Sequence, residues 1–232
     1  MQLFYCPEIN DGVHSLGIEE SRHCIRVLRK KEGDEIDITD GRGKIFKVEL
    51  TDLSPKKCQF NILSYQTIKK EPFSVHIAFT PTKNADRTEW FIEKAVEIGI
   101  NKITFIQTSY SERNKVNMER LRKKAISAMK QSVRAYLPEI TGVEKLNEIC
   151  GSNVEDQKFI AHLDPASPGH LKDLAKKNSP YLILIGPEGG FSPEEIILAK
   201  SHGFLPVKLG EHRLRTETAG VVACSILNTL NQ

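Results

Sequence analysis

The sequence predicts an α/β fold in two parts: a small β-rich domain over residues 1–70 and a larger domain of alternating strands and helices over residues 71–232. Three observations carry this. Residues 35–50 alternate apolar and polar around the turn Asp40-Gly-Arg-Gly43, the pattern of a β-hairpin. Thr67-Ile-Lys-Lys-Glu-Pro72 is polar and ends in proline, as a linker does. After it, short apolar runs and helical periods take turns, which argues a parallel sheet covered by helices.

In chain order, a short helix over Glu19–Leu28 comes first, then hairpin strands Glu35–Thr39 and Lys44–Leu50, with Phe60 and Ile62 continuing the β character. The second domain has expected strands at Val75–Phe79, Ile103–Gln107, Lys158–His162, Tyr181–Ile185 and Leu205–Leu209. Expected helices span Arg87–Ile98, Met118–Val133, Leu171–Lys177, Glu194–Ser201 and Glu217–Asn231. Asp86 and Glu89 read as a capping box for the first of these, and Trp90 beside Phe91 reads as core. On the last helix, Ala219, Val222, Ala223, Ile226, Leu227 and Leu230 form an apolar stripe.

The most informative segment is Tyr181-Leu-Ile-Leu-Ile-Gly-Pro-Glu-Gly-Gly-Phe-Ser-Pro-Glu-Glu195. Five apolar residues read as a strand buried on both faces. Ser192 offers an N-cap, Pro193 suits the first helical position, and Glu195 completes a capping box. A core strand thus delivers a glycine-rich loop to a helix start, the place where α/β proteins bind ligands. The loop lacks the Lys-Ser/Thr pair of a phosphate loop, and it is not G-x-G-x-x-G. Glu188 in its middle repels phosphates. A neutral base edge or a cationic group fits better.

A second loop follows the run Phe204–Leu209: Gly210, then Glu211-His-Arg-Leu-Arg-Thr-Glu-Thr-Ala219. Threonine and glutamate at a helix start are ordinary caps. Arg213 and Arg215 are not, because cations sit badly at the positive end of a helix dipole. They call for an anionic partner.

Gly186-Pro-Glu-Gly-Gly190, Leu209-Gly210 and Leu214-Arg-Thr-Glu-Thr-Ala219 together resemble the RsmE-type ribosomal RNA uridine N3-methyltransferases of the SPOUT group. Lys83, Asp86-Arg87, Glu89-Trp90, Lys94-Ala95, Glu97 and Gly99 resemble that family's first helix region. Ser111-Glu-Arg113, Gln131-Ser132, Arg134 and Pro138 resemble its middle block, and His23 with Val27-Leu28-Arg29 its N-terminal signature. The likeness runs over nearly the whole chain. In one departure, Ser127 precedes Ala128 where the family usually carries an acid.

The resemblance implies a PUA-like RNA-binding β-barrel over 1–70 and a SPOUT α/β domain with a trefoil knot over 71–232. It implies a homodimer, S-adenosylmethionine as methyl donor, and a uridine of 16S ribosomal RNA, free or in the assembled small subunit, as substrate. The donor is placed on Ile185, Gly186, Pro187, Glu188, Gly189 and Gly190, on Leu209, Gly210, Leu214, Arg215, Thr216, Thr218 and Ala219, and on Leu163. Catalytic candidates are Arg215, to hold charge on the uracil, Glu217, as general base or helix cap, and Arg134. RNA-binding candidates are Arg22, His23, Arg26, Arg29, Lys83 and Arg113. A related enzyme acting on transfer RNA or a ribose hydroxyl, or an RNA-binding factor that has lost catalysis, are the other readings.

Composition agrees. Of 232 residues, 39% are hydrophobic and 27% charged, ordinary for a globular chain. No apolar run is long enough to span a bilayer, and residues 1–8 lack the features of a signal peptide, so a cytoplasmic protein is expected. Five scattered cysteines form no C-x-x-C pair, and the seven histidines are scattered too, so no metal site is read. The net charge of +3 hides a division: residues 22–31 carry +5, residues 113–134 carry +7, and the rest carries −9. Arg22, Arg26 and Arg29 would share one helical face, and Arg120, Lys123, Lys124, Gln131 and Arg134 a polar stripe on another helix. Each is either a solvated face or a contact for RNA phosphates.

Overall fold

The structure, a computed structural model, describes residues 2–151, 155–162 and 169–232. The chain forms two compact units: Met1–Lys70 with Ile126–Leu137, and Glu71–Ala125 with Pro138–Gln232.

The first unit holds a four-stranded sheet in the order β1 (Leu3–Tyr5), β2 (Glu35–Thr39), β3 (Lys44–Ser54), β4 (Lys57–Thr67). β1 runs parallel to β2, and the other pairs are antiparallel, with Ile38 opposite Phe46 and Val48 opposite Ile62. The turn between β2 and β3 is fixed by Asp40, whose Oδ1 accepts from the amides of Arg42 (2.7 Å) and Lys44 (3.0 Å). Phe4, Ile36, Ile38, Val48, Leu50 and Phe60 form the core with Cys24. Helix α1 (Ile18–Arg22) passes into a π-helical turn, His23–Val27. Cys24 is buried as its spacing predicts, but Arg29 lies past the helical turns at φ 53°, so the three arginines do not share one helical face. Residues 126–137 join this unit through Ala135, which packs on Leu3 and Ile45, and through the Leu137 amide, which donates to the Gly41 carbonyl at 2.9 Å.

The second unit is a six-stranded, wholly parallel sheet in the order β10-β8-β9-β5-β6-β7. Its elements are β5 (Ser74–Phe79), α2 (Ala85–Ile98), β6 (Lys102–Gln107), α3 (Met118–Gln131), β7 (Glu139–Lys145) and α4 (Leu146–Gly151). Then follow β8 (Gln157–Ala161), α5 (Leu171–Leu174), β9 (Pro180–Ile185), α6 (Pro193–Ser201), β10 (Leu205–Val207) and α7 (Thr216–Leu230). The predicted strands and helices are all present, with shifted ends. The last turns of α3 fall in the first unit. Two elements, β7 and α4, were not expected.

Three local expectations are corrected. Asn84, not Asp86, caps α2, its side chain accepting from the Asp86 amide at 2.9 Å; Glu89 instead pairs with Arg120. Trp90 is not core but 43% exposed. The buried face of α7 is Thr216, Glu217, Gly220, Ala223, Cys224, Leu227 and Asn228, so Ala219, Val222, Ile226 and Leu230 are only half-buried. Gly220 sets that rotation, since a Cβ there would meet the Phe91 ring of α2 at 2.5 Å.

Candidate functional site

Strand β9, buried along Tyr181–Ile185, ends where the glycine loop begins. The predicted capping box is present: Ser192 Oγ accepts from the Glu195 amide at 3.3 Å, and Glu195 Oε2 accepts from the Ser192 amide at 2.8 Å. Gly190 has φ 76°, a conformation that L side chains rarely adopt. A Cβ on Gly186 would meet the Phe191 ring at 2.9 Å.

Beside this loop lies a cavity of about 400 Å³. It is lined by Ile185, Gly186, Pro187, Glu188, Gly189, Gly190, Leu209, Gly210, Leu214, Thr216 and Ala219, all anticipated from the sequence. His162, Lys208, His212 and Arg213 also reach it and were not anticipated. His162 and Lys208 directly follow β8 and β10, and that strand-end position was the available signal for them. Leu163 lies outside the described residues.

Arg215 and Thr218 do not line this cavity. With Glu217 they line a second one, of about 370 Å³, together with Asp86, Arg87 and Trp90 of α2. The start of α7 thus divides its residues: Leu214, Thr216 and Ala219 face the glycine-lined cavity, and Arg215, Glu217 and Thr218 the charged one. Arg215 is the N-cap residue, extended at φ −67° and ψ 154°, and its side chain makes no capping bond. Glu217 is 8% exposed, with Oε1 3.7 Å from Arg87 Nε. Its Oε2 is buried without a hydrogen-bond partner among the described residues. Glu217 therefore does not serve as a cap, and it is a buried acceptor beside the Arg87 guanidinium, in a cavity that Arg215 also lines.

Four loops at the strand ends are tied in series. Arg113 Nη2 donates to the Lys83 carbonyl at 2.9 Å, and Lys83 Nζ pairs with Glu112 at 2.8 Å. The hydrogen bond to Glu112, then its charge, raises the Lys83 pKa. The Ser109 amide donates to Glu195 Oε1 at 2.7 Å, and Arg213 donates to the Glu188 carbonyl.

Arg22, His23, Arg26, Arg29 and Arg134 lie in the first unit, and Arg120, Lys123 and Lys124 in the second. Arg22, Arg26 and Arg29 are exposed and make no ion pair among the described residues. His23 is half-buried, Nε2 3.0 Å from Gln2 Nε2. Arg134 is half-buried and belongs to the first unit, whereas Arg215 and Glu217 belong to the second. The stripe on α3 is largely neutralised: Arg120 pairs with Glu89 and Asp86, Lys124 with Glu93, and Lys123 with Glu119. Burial pushes the Cys6 and Cys150 thiols up to about 11 and Cys24 up to about 12, so none is a thiolate nucleophile at neutral pH. Among the described residues, no group of three or more His, Cys, Asp or Glu is placed to hold a metal ion, and no helix is long and apolar enough to cross a membrane.

A family model for an RNA methyltransferase domain matches residues 69–228, and one for an RNA methyltransferase PUA domain matches residues 17–63. Ribosomal RNA small subunit methyltransferase E of Buchnera aphidicola from Acyrthosiphon pisum is 33% identical over 226 residues, which is 91% of this chain and 86% of that protein. The chain belongs to the ribosomal RNA small subunit methyltransferase E family. A probable rRNA-methyltransferase from Porphyromonas gingivalis has the same fold with a TM-score of 0.93 and 41% identity, over 100% of this chain and 98% of that one. The family's enzyme from Neisseria gonorrhoeae, solved with S-adenosyl methionine bound, matches with a TM-score of 0.88 and 28% identity, over 100% of this chain and 98% of that one. The first family model begins at residue 69, next to the division between the units at Lys70 and Glu71.

Proposed function

We propose that this chain transfers a methyl group from S-adenosylmethionine to N3 of a specific uridine in 16S ribosomal RNA. The observation that carries this reading is the division of residues 214–219 between a glycine-lined cavity bedded on backbone and one that gathers Asp86, Arg87, Arg215 and Glu217. The first cavity, about 400 Å³, lies within the range of small-molecule sites. Gly210 lines it, and a Cβ there would meet nothing within 4 Å, so the bed is open where a flat base or ribose needs close approach. Backbone groups of Gly186–Gly190 and Leu209–Gly210 would hold adenine and ribose, and Glu188 would face the cationic end. When bound, the donor supplies an electrophilic methyl on a sulfonium.

The protein's task is then the uracil. N3 carries an imide proton that must leave before or during attack. Glu217, buried with a free Oε2 and with the Arg87 guanidinium 3.7 Å from its Oε1, is suited to take it. Arg215, exposed at the rim, is suited to hold the negative charge that develops on a uracil carbonyl. Arg134 is next in line for that role. Arg22, His23, Arg26, Arg29, Lys83 and Arg113 would position the RNA, the exposed arginines through phosphates.

The finer architecture follows the same reading: a PUA-like barrel in the first unit, a trefoil knot in the second, a homodimer, and a cytoplasmic setting. Trp90 and the half-buried Val222, Ile226 and Leu230 leave apolar surface on α2 and α7 that a second copy would cover.

The test is mass mapping of methylated nucleosides after incubation with the donor and either protein-free 16S RNA or assembled small subunits. A single 3-methyluridine is expected. Methyl on a ribose or on transfer RNA would move the chain to a different reaction, and donor binding without transfer to any RNA would leave a binding factor.

A further inference from the structure

Tyr110 is 51% exposed and stands against Gly189, which lines the glycine-lined cavity. A single exposed aromatic needs no explanation by itself. This one differs in how it is held. The Thr108 amide donates to Ser111 Oγ at 2.8 Å, and the Ser111 amide returns to the Thr108 carbonyl at 3.1 Å. The neighbouring Ser109 amide is fixed by Glu195 at 2.7 Å. Glu195 is also the carboxylate that closes the capping box of α6, so one side chain anchors both the Tyr110 loop and the glycine loop. The two loops touch: a Cβ on Gly189 would stand 3.1 Å from Tyr110 Cβ. A side chain on Gly189 would therefore press on Tyr110, independently of any ligand. The fold thus holds the backbone that carries this exposed ring against the glycine loop, with Arg113 further along the same loop and Arg213 bonded to the glycine loop at the Glu188 carbonyl.

We propose that Tyr110 is a stacking platform for one unpaired RNA base at the mouth of the donor cavity. Single-stranded RNA is recognised by this combination, a base on an aromatic face and phosphates on nearby cations. An enzyme that must reach N3, an atom occupied in a base pair, acts on an unstacked base and gains from a surface that replaces the lost stacking. The inference rests on the methyltransferase reading above.

The test compares Tyr110→Leu, which keeps bulk against Gly189 but removes the aromatic face, with Tyr110→Phe. Both would be assayed on unmethylated small subunits and protein-free 16S RNA. Tyr110→Leu is expected to raise KM for RNA by about tenfold or more, with kcat, donor affinity and melting temperature near wild type. The slope of affinity against salt should not change, because no phosphate contact is lost. Tyr110→Phe should restore KM. An unchanged KM overturns the proposal. So does a loss of donor affinity, which would assign the ring to the donor. A Phe variant no better than Leu would assign the role to the hydroxyl and also overturn it. If the wild type methylates neither RNA, the functional reading has failed, and stacking is still decided by binding of a fluorescent single-stranded oligouridine. Weaker binding by Tyr110→Leu then supports the platform, and equal binding removes it.

Discussion

The two cavities flanking the start of α7 share one six-residue segment and differ in how they treat charge. The glycine-lined cavity is built mainly from backbone and small or apolar side chains, and its acid and cations sit on loop positions. The other gathers Asp86, Arg87, Arg215 and Glu217 around a single buried carboxylate oxygen without a partner. A buried, unpaired acceptor costs stability, on the order of 1–3 kcal/mol for a neutral group and more for a charge. On the function proposed above, Glu217 is kept to take the imide proton, so the first cavity would hold the donor and the second would act on the uracil. Substitutions that separate holding from acting test this difference.

The largest separation is expected from Arg215→Ala. Losing a preorganised partner for developing charge costs about 100-fold or more in rate. Single-turnover methylation should fall by that much, with donor affinity and melting temperature near wild type, since Arg215 is exposed and makes no cap. Arg215→Lys should recover only part, because an ammonium cannot make a planar two-pronged contact. A variant that unfolds, or that changes only RNA affinity, would pass the chemical role to Arg134.

Gly210→Val should do the reverse. Its backbone needs no positive φ, and a Cβ would displace no protein atom, so the fold should survive. The added methyls would crowd the ligand, weakening donor binding in calorimetry by about tenfold or more. Gly189→Val is the less clean probe, because its side chain would first strike Tyr110. Unchanged donor affinity in a folded Gly210→Val protein would remove the donor from this cavity.

Neither cavity should notice the third change, Arg22, Arg26 and Arg29 to glutamine. These cations make no ion pair among the described residues, unlike the cations of α3. RNA binding should weaken several-fold, and its salt slope should drop by about 2, the value for three contacts to a single strand. An unchanged slope would make this a solvated face.

The contrast between those two basic segments also marks the limit of what sequence reveals. Local chemistry was legible: the Ser192–Glu195 box, the glycine loop and the strand before it follow from neighbours in the chain. So were most residues of the glycine-lined cavity, because strand ends and helix starts place them. What depended on distant partners was not. Nothing near Arg120 or Lys124 announces Glu89 and Glu93, roughly thirty residues upstream on α2. Trp90 beside Phe91 gives no sign that only Phe91 turns inward. The last turns of α3 continue its periodicity, which cannot show that residues 126–137 leave one unit for the other. Strand β7 escaped because, at the sheet edge, none of its residues is fully buried, so the apolar run that marks the inner strands is missing.

The smallest effect expected is on stability, at one of the neutralised cations of α3. Glu93 takes a hydrogen bond from Lys94 and another from Lys124 Nζ at 3.1 Å, and these two bonds lower its pKa below the ordinary 4.5. A carboxylate whose pKa is depressed in the folded state stabilises the protein above its unfolded pKa and loses that contribution as pH falls through the folded value. The side chain is one-third exposed, so solvent screening holds the contribution to a few tenths of a kcal/mol. Glu93→Gln should therefore lower the melting temperature by only about 1 °C at neutral pH. The difference should shrink as the pH falls from 4.5 through the lower folded value, where the wild-type carboxylate takes up a proton as well. Methylation and RNA affinity should stay at wild-type values, since this charge faces neither cavity. A deficit of equal size at pH 7 and in acid would mean that Glu93 acts through packing, and a loss of RNA affinity would return α3 to the RNA-binding surface.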